Sequence, residues 1–192
     1  MHHIQQLMLN FFYPTVALME EVVLVNEFDE EIGKMEKMEA HLNPNLHRAF
    51  SIFLFNKKHE MLLQQRAHSK YHSGGLWTNA CCSHPRPGEA VAHAASRRLK
   101  EELGIETTLD FAFHFTYKAA FENGLHEYEY DHVYMGVYEG GIEANPAEVA
   151  SYCFKSLPEI ARDLSLQPHL YTEWFKIALP KIEAYLEQNK LP

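Results

Sequence analysis

Residues 83–105 read SHPRPGEAVAHAASRRLKEELGI, a stretch with a clear break at its start and a helical composition after it. Its first part, PRPG at 85–88, is a chain break, because proline and glycine favour turns. From residue 89 to 103 the composition is dominated by Ala, Leu, Arg and Glu, which favour helix. Gly104 is a natural helix stop. The stretch therefore predicts a helix over 89–103, on which Arg98 and Glu102 share one face.

Strands and further helices are predicted on both sides of this helix. The apolar run RAFSIFLF at 48–55, a turn, and a return at 60–66 predict a hairpin, and an acidic turn ends near Gly33. The remaining predicted elements are strands at 21–26, 107–117, 126–138 and 152–154, and helices at 157–164 and 168–188. This order predicts one α+β domain over residues 1–192, a mixed β-sheet sandwiched between helices, with residues 1–20 as an N-terminal extension of unknown role.

Composition restricts the class of function. Lys and Arg number 17 against 26 Asp and Glu, a formal net charge of −9, so nucleic-acid binding is not expected. Three cysteines do not make a disulfide framework, which indicates a reduced, cytoplasmic protein. We recognise no signal peptide and no run of the roughly 18 apolar residues that a membrane span needs. We expect a small-molecule ligand, no membrane partner, and a monomer or weak dimer.

The segment RRLKEELGI at 97–105 resembles the end of a Nudix box, whose pattern is R-E-U-x-E-E-x-G-U with U aliphatic. Glu89 matches the box's earlier glutamate, whereas Ser83 stands where the box has glycine. Arg98 stands where a Nudix hydrolase has glutamate, which argues against ordinary hydrolysis. A carboxylate at Glu102 is suited to a hard cation such as Mg²⁺ bridging to a diphosphate.

The segment WTNACCSHP at 77–85 resembles the signature T-N-x-x-C-x-H-P of the type 1 isopentenyl-diphosphate isomerases, a Nudix-like family. The resemblance implies that Cys82 is the catalytic thiol and that His84 is a metal ligand. It also accounts for the degenerate Nudix box. Cys81 is interpreted as a buried small hydrophobic residue.

Glu127 and Glu129 stand at i and i+2 on a predicted strand, so both side chains point to one face. Like charges so close repel unless a cation or a proton lies between them. The resemblance implies that both are metal ligands, that Glu129 also transfers protons, and that His41 and His47 join His84 in the same site. This donor set suits one Mn²⁺, Mg²⁺ or Zn²⁺.

The other histidines have no motif to support a role and are interpreted as ordinary. Apart from His2 and His3 at the start of the sequence, they are His59, His68, His72, His93, His114, His126, His132 and His169. Two acidic residues near the strand, Glu122 and Asp131, are interpreted as surface residues.

The segment RAHSK at 66–70 resembles the family's R-x-x-S-K segment, which implies diphosphate binding. Arginine offers a planar fork of donors and lysine a point charge. The resemblance also places Trp174 over the reacting carbons and Tyr117 near Glu129, and it implies a second Mg²⁺ at Glu102 that holds the diphosphate. The predicted diphosphate-binding residues are Arg66, Lys70, Arg98 and Lys37.

The predicted function is therefore isomerisation of isopentenyl diphosphate to dimethylallyl diphosphate through a tertiary carbocation, in isoprenoid biosynthesis. The main alternative is a Nudix diphosphohydrolase that acts on a nucleotide or a related diphosphate. A non-catalytic metal-binding module is an alternative from another class. A flavin-dependent isomerase of the same substrate is not expected, because there is no Gly-rich flavin signature and the chain is short for a barrel of roughly 250 residues.

Overall fold

The computed structural model describes residues 20–121 and 124–189. The strands are β1 (Glu21–Val25), β2 (Glu31–Glu36), β3 (His47–Phe55), β4 (Met61–Arg66), β5 (Trp77–Asn79), β6 (Cys81–Ser83), β7 (Asp110–Ala120), β8 (His126–Val137) and β9 (Val149–Lys155). The helices are α1 (Lys37–Leu42), α2 (Val91–Leu103), α3 (Leu157–Leu166) and α4 (Glu173–Gln188), with a short 3-10 helix at Pro168–Leu170.

Strand β3 is the centre of the sheet. Along one edge it pairs in parallel with β8, in a register that sets His47 opposite Glu129 and Phe55 opposite Val137. Along its other edge it pairs in turn with β1, β6 and β4, all antiparallel. Strand β7 lies beyond β8, β2 lies beyond β1, and β5 and β9 pair with β4. The sheet is therefore mixed, and residues distant in sequence meet around β3.

Both faces of β3 are buried. Successive side chains of a strand point in opposite directions, so alternate residues pack against different layers. Phe50, Ile52 and Leu54 pack with apolar residues of α2 on one face. Phe53 and Phe55 pack with α4 on the other. Burying each of these side chains contributes about 1.5–3 kcal/mol, so the continuous apolar run stabilises both layers. The prediction of a mixed sheet between helices is confirmed.

Helix α2 begins at Val91, slightly later than predicted. Contacts between residues close in sequence stabilise both of its ends. Glu89, just before the helix, binds Arg97 through two contacts, Nε to Oε1 at 2.7 Å and Nη2 to Oε2 at 2.8 Å. At the other end Gly104 has a left-handed φ of 67°, and its N–H donates to the carbonyl oxygen of Lys100. A glycine in this conformation is a common helix terminator, as the sequence predicted.

The segment before β3 differs from the prediction of a turn. Residues 31–36 form the edge strand β2, so Gly33 lies inside a strand. Its side chains are largely exposed and charged, as is usual for an edge strand, and they show little apolar alternation. Residues 37–42 form α1, which is too short to show a helical repeat of apolar residues.

The C-terminal helix begins at Glu173 rather than at residue 168. The cause is a β-bridge between Tyr171 and Trp77, which keeps the chain extended just before the helix. The N–H of Thr172 also donates to the carbonyl oxygen of Trp77. No helix within the described ranges has both the length and the apolar character that a membrane crossing requires.

Replacing Gly104 with alanine should lower the free energy of unfolding by about 2–5 kcal/mol. A left-handed conformation costs a residue with a Cβ about 1–2 kcal/mol, and overpacking adds about 1–3 kcal/mol. The added Cβ would lie 2.9 Å from Glu143 Cβ and 3.1 Å from the Glu143 carbonyl oxygen. Urea unfolding followed by circular dichroism measures the loss.

Gly88→Ala is the matched control. Gly88 also has a positive φ, 77°, but an added Cβ would meet nothing within 4 Å. Its substitution should therefore cost only the backbone term, about 1–2 kcal/mol. Equal losses in the two variants would contradict the role assigned to crowding by Glu143.

Candidate active site

The predicted site residues gather at one end of the sheet, on the face that α4 covers. The strand registers explain this, because Tyr117 lies opposite Glu129, Glu129 opposite His47, and Cys82 opposite Ser51. Apart from His47, which is fully buried, all the predicted site residues line one cavity: Lys37, His41, Arg66, Lys70, Cys82, His84, Arg98, Glu102, Tyr117, Glu127, Glu129 and Trp174.

His41, His47, His84 and Glu129 form a compact buried group. One potential ligand atom from each lies within 4.8 Å of the others. Nitrogen donors on opposite sides of an ion, each bound at 2.0–2.1 Å, are about 4.2 Å apart. The spacing therefore suits a single metal ion. Glu127 lies close to this group through its contact with Tyr117.

Backbone carbonyls orient two of the imidazoles. His41 Nδ1 lies 2.7 Å from the carbonyl oxygen of Lys37, and His47 Nδ1 lies 2.8 Å from that of Asn45. Because a carbonyl oxygen only accepts, each Nδ1 carries the hydrogen and each Nε2 keeps a lone pair. His47 Nε2 is buried, lies 3.6 Å from Glu129 Oε1 and forms no hydrogen bond within the usual distance among the described residues. Burial lowers the pKa of His41, and that of His84 to about 4, so both are neutral, as metal ligation requires.

Glu127 and Glu129 share one hydroxyl donor. The Tyr117 hydroxyl lies 2.9 Å from Glu127 Oε2 and 2.7 Å from Glu129 Oε2, but it has a single hydrogen to donate. Burial and the charge of Glu129 raise the pKa of Glu127 well above its usual range. Burial alone would also raise the pKa of Glu129, but contacts with His47 and His84 hold it well below its usual range. Of the two carboxyls, Glu127 is therefore the one that retains a proton more readily, and Glu129 is the one that ionises first.

The two adjacent cysteines point to opposite faces of β6. Cys81 lies opposite Ile52 and is fully buried in the apolar layer shared with α2. Cys82 lies opposite Ser51 and lines the cavity. Burial and the nearby Asp131 raise the pKa of the Cys82 thiol, so it is protonated at neutral pH.

A hydrogen-bond network fixes the position of the Cys82 sulfur. Its thiol donates to Asn79 Oδ1 at 2.9 Å, while Asn79 Nδ2 donates to two backbone carbonyl oxygens at 3.0 Å each. Because Nδ2 is engaged in this way, Oδ1 must face the sulfur. Thr78 Oγ1 also donates to Asn79 Oδ1, and Thr172 Oγ1 donates to Thr78 Oγ1 at 3.1 Å. Thr172 immediately precedes α4, so the network links this helix to the thiol.

Carboxylates hold two of the cavity cations. Arg98 Nη2 lies 2.7 Å from Glu102 Oε1 and 3.4 Å from Glu148 Oε1. Lys70 Nζ forms an ion pair with the same Glu148. The second oxygen of Glu102 accepts a hydrogen bond from Gln64 Nε2 at 3.0 Å. Arg98 and Lys70 therefore converge on one carboxylate, as they would on a diphosphate.

The other two cations approach aromatic rings. The Arg66 guanidinium carbon lies 5.0 Å from the centre of the Trp174 ring, and Arg66 Nη2 donates to the carbonyl oxygen of His72 at 3.4 Å. Lys37 Nζ lies 5.8 Å from the centre of the Tyr71 ring and also pairs with Glu20 at 3.0 Å. Trp174 is 3% exposed and lies in the first turn of α4, where it covers the cavity.

The interpretation of Asp131 as a surface residue is wrong. Asp131 is 1% exposed and accepts a hydrogen bond from Ser51 Oγ at 2.7 Å, and Ser51 Oγ lies 3.5 Å from the Cys82 sulfur. Burial and the charge of Glu129 raise the pKa of Asp131 to about 8. A signal existed in the sequence, because Asp131 continues the i, i+2 alternation of Glu127 and Glu129 on one strand face.

His72, which was interpreted as an ordinary histidine, also lines the cavity. Its side chain is 6% exposed, and its Nε2 lies 3.9 Å from Glu127 Oε1 in the cavity. His72 belongs to a loop and to none of the motifs, so no sequence pattern marked it. Glu122 lies outside the described residues.

Known proteins resemble the chain over most of its length. The NUDIX domain family pattern matches residues 45–175. An isopentenyl-diphosphate Delta-isomerase of Pectobacterium atrosepticum is 48% identical over 170 residues, which are 88% of this chain and 95% of the relative. Isopentenyl-diphosphate Delta-isomerase 1 of Aromatoleum aromaticum is 46% identical over 171 residues, which are 89% of this chain and 97% of the relative.

Solved structures give the same fold. The crystal structure of a MutT protein from Methanosarcina mazei Go1 superposes with a TM-score of 0.60 at 20% identity, covering 76% of this chain and 96% of that protein. At this identity the likeness shows the fold alone. From the family pattern and the relatives together, the chain belongs to the Nudix family and, within it, to the isopentenyl-diphosphate Delta-isomerases.

Proposed function

We propose that this protein interconverts isopentenyl diphosphate and dimethylallyl diphosphate. The observation that carries the proposal is that Cys82 and Glu129 face one cavity from strands on either side of β3. The same cavity is lined by a group of cations, called here the cationic wall (Arg66, Lys70, Arg98 and Lys37), and by the indole of Trp174. Moving a double bond requires one group that donates a proton and another that accepts one. Its relatives, named isopentenyl-diphosphate Delta-isomerase, are 44–48% identical and favour this reaction over diphosphate hydrolysis.

The two acid–base groups divide the proton transfers. We assign Glu129, supported by the Tyr117 hydroxyl at 2.7 Å, as donor to the terminal alkene carbon. Cys82 accepts a proton from the neighbouring methylene, for which it must be a thiolate. The proton that its thiol holds at rest therefore first passes to the carboxyl pair, and Glu129 then donates one proton to the substrate while Cys82 takes one away. The roles exchange in the reverse direction, in which the protonated Cys82 is the ready donor. The proton on Cys82 must return to the carboxyl pair before the next forward turnover.

Trp174 stabilises the tertiary carbocation between the two transfers. The Arg66 guanidinium already lies over its ring at 5.0 Å, so the ring is accessible to a cation from inside the cavity. A cation over an indole gains roughly 0.5–2 kcal/mol, more when water is excluded. The nearly complete burial of Trp174 favours the upper part of this range.

The cationic wall binds the diphosphate. Arg66, Lys70, Arg98 and Lys37 supply charge, and Glu102 is the residue that would hold a second cation, Mg²⁺. Because Lys70 and Arg98 share Glu148 before the substrate binds, a diphosphate takes the place of a carboxylate. This exchange keeps cations in the cavity despite the net charge of −9.

The residues that would hold one Mn²⁺, Mg²⁺ or Zn²⁺ are His41, His47, His84, Glu127 and Glu129. The lone pair of buried His47 Nε2, which forms no hydrogen bond within the usual distance among the described residues, supports this assignment. When bound, the ion supplies positive charge that favours the ionised carboxylates. The proposal also includes a cytoplasmic enzyme that works as a monomer or weak dimer, without nucleic-acid or membrane partners.

The residues of helix α2 do not favour hydrolysis. A Nudix hydrolase uses the corresponding helix to activate water. That helix needs a row of carboxylates, but here Arg98 replaces one of them and pairs with Glu101 and Glu102. These contacts reduce the negative charge available for metal-activated water.

The function is tested by proton NMR of isopentenyl diphosphate with purified protein, Mg²⁺ and Mn²⁺ in D₂O. Dimethylallyl signals should appear with deuterium in the product, because the donated proton exchanges with solvent. Folded, metal-loaded protein that leaves the spectrum unchanged would refute the proposal. Release of phosphate from nucleotide diphosphates would instead favour the hydrolase.

Cys82→Ala should reduce turnover by at least about 10²–10⁴-fold, the usual contribution of a positioned acid or base. The fold should be retained, because the side chain is small and lines the cavity. Cys81→Ala is the matched control, since its sulfur lies in the apolar layer under α2. It should retain most of the turnover. Rates from the deuterium assay measure both, and equal losses would contradict the assignment of Cys82.

Lys70→Gln should raise KM for isopentenyl diphosphate roughly 10–100-fold, because a hydrogen bond to a charged group contributes about 1.5–3 kcal/mol. The effect on kcat should be smaller, since Lys70 is assigned to the diphosphate and not to the reacting carbons. Lys57→Gln is the control, because Lys57 is 78% exposed and pairs with Glu139. A KM for Lys70→Gln equal to that of the control would exclude Lys70 from substrate binding.

A further inference from the structure

We propose that His72 is an additional ligand of the metal ion, so that four imidazoles and two carboxylates surround it. The inference rests on the metal site of the proposed function and extends it to a residue that no motif marks. Its starting point is a second buried group of potential ligands, His41, His72 and Glu127, beside the group already described.

The geometry of this second group matches that of the first. One ligand atom from each of His41, His72 and Glu127 lies within 4.8 Å of the others. The rings of His41 and His72 stack with centres 5.9 Å apart. His72 Nε2 lies 3.9 Å from Glu127 Oε1, close enough for both atoms to bind one ion.

The two groups together can hold one ion but not two. His41 belongs to both groups, yet its Nδ1 hydrogen is engaged by the carbonyl oxygen of Lys37, so only Nε2 has a lone pair to share. The carboxylates of the two groups, Glu127 and Glu129, are joined by the Tyr117 hydroxyl. A single ion at the shared imidazole therefore places His72 and Glu127 on one side of it.

The loop that carries His72 is closed and crowded. The N–H of Arg66 donates to the carbonyl oxygen of Leu76 at 2.9 Å, and Gly75 N–H donates back to Arg66 at 3.0 Å. A Cβ on Gly74 would lie 2.8 Å from the carbonyl oxygen of His68, so only glycine fits there. The backbone therefore delivers the imidazole to the cavity in one position.

Aromatic neighbours hold the ring of His72 in place. The ring stacks on Phe121 with centres 4.9 Å apart and meets the edge of Trp174 at 5.9 Å. Because these contacts already restrict the His72 side chain, binding a metal ion costs less side-chain conformational entropy.

A fourth imidazole changes which ion the site prefers. Imidazole nitrogen suits Zn²⁺ and similar borderline ions, whereas Mg²⁺ and Mn²⁺ prefer carboxylate and water oxygen. A set of four nitrogens and two carboxylates therefore selects a zinc-like ion over Mg²⁺.

The test is NMR of the full chain labelled with ¹⁵N-histidine and loaded with ¹¹³Cd²⁺. A bound imidazole nitrogen shows scalar coupling to ¹¹³Cd, so each ligand is counted directly. Coupling to His72, in addition to His41, His47 and His84, is the expected result. The His72 signal is assigned by its loss in His72→Phe, which keeps an aromatic ring.

The other outcomes separate this inference from the proposal on which it rests. Coupling to His41, His47 and His84 but not to His72 would overturn the inference and leave the metal site standing. Coupling to no histidine would overturn the metal site and the inference together.

Metal affinity gives a second readout. His72→Phe should weaken Zn²⁺ binding by at least about ten-fold, the lower limit for losing even an outer hydrogen-bond partner of a ligand, and should weaken Mn²⁺ binding less. His114→Phe is the control, because His114 is exposed on β7 and stacks on Tyr130 away from the cavity. Chelator competition measures both ions, and an unchanged Zn²⁺ affinity in His72→Phe would overturn the inference.

Discussion

The parallel pairing of β3 with β8 is the constraint on which the site depends. It sets His47 opposite Glu129, and because the register is regular to Phe55 and Val137, every residue between them is assigned a face. A shift by one residue would turn Glu129 away from the cavity and insert a neighbour into it. The apolar side chains farther along β3 are buried on both faces and make such a shift costly. The core thus fixes the site's register.

At the polar end of the sheet, the charged side chains are already paired with other protein groups before a substrate binds. Acids that would repel one another are separated by the Tyr117 hydroxyl or by imidazoles, and Arg98 and Lys70 meet on Glu148. Buried charges are costly unless they are paired, so this arrangement allows a charged cavity inside an otherwise apolar layer. It also means that ligands replace existing partners instead of meeting unpaired charges.

Motifs predicted more of this molecule than patterns of hydrophobicity did. Gly104 and the long run at β3 carried strong local signals, whereas β2 and α1 were missed because an exposed edge strand and a helix of six residues bury little. Cys82 was distinguished from Cys81 by its motif, and strand alternation gives the same division physically. His72 was missed because its position depends on loop closure and on contacts with Phe121 and Trp174, which no local pattern encodes.

The hydrogen bonds from Thr172 through Thr78 and Asn79 to the Cys82 sulfur have a consequence for biosynthesis. Helix α4 leaves the ribosome after every strand of the sheet, so the nascent chain can pair its strands while this network is still incomplete. Until the helix docks, the network lacks the hydrogen bond from Thr172 to Thr78, and the indole does not cover the cavity. The growing polypeptide therefore has an open cavity, which is covered only when α4 docks on the completed sheet.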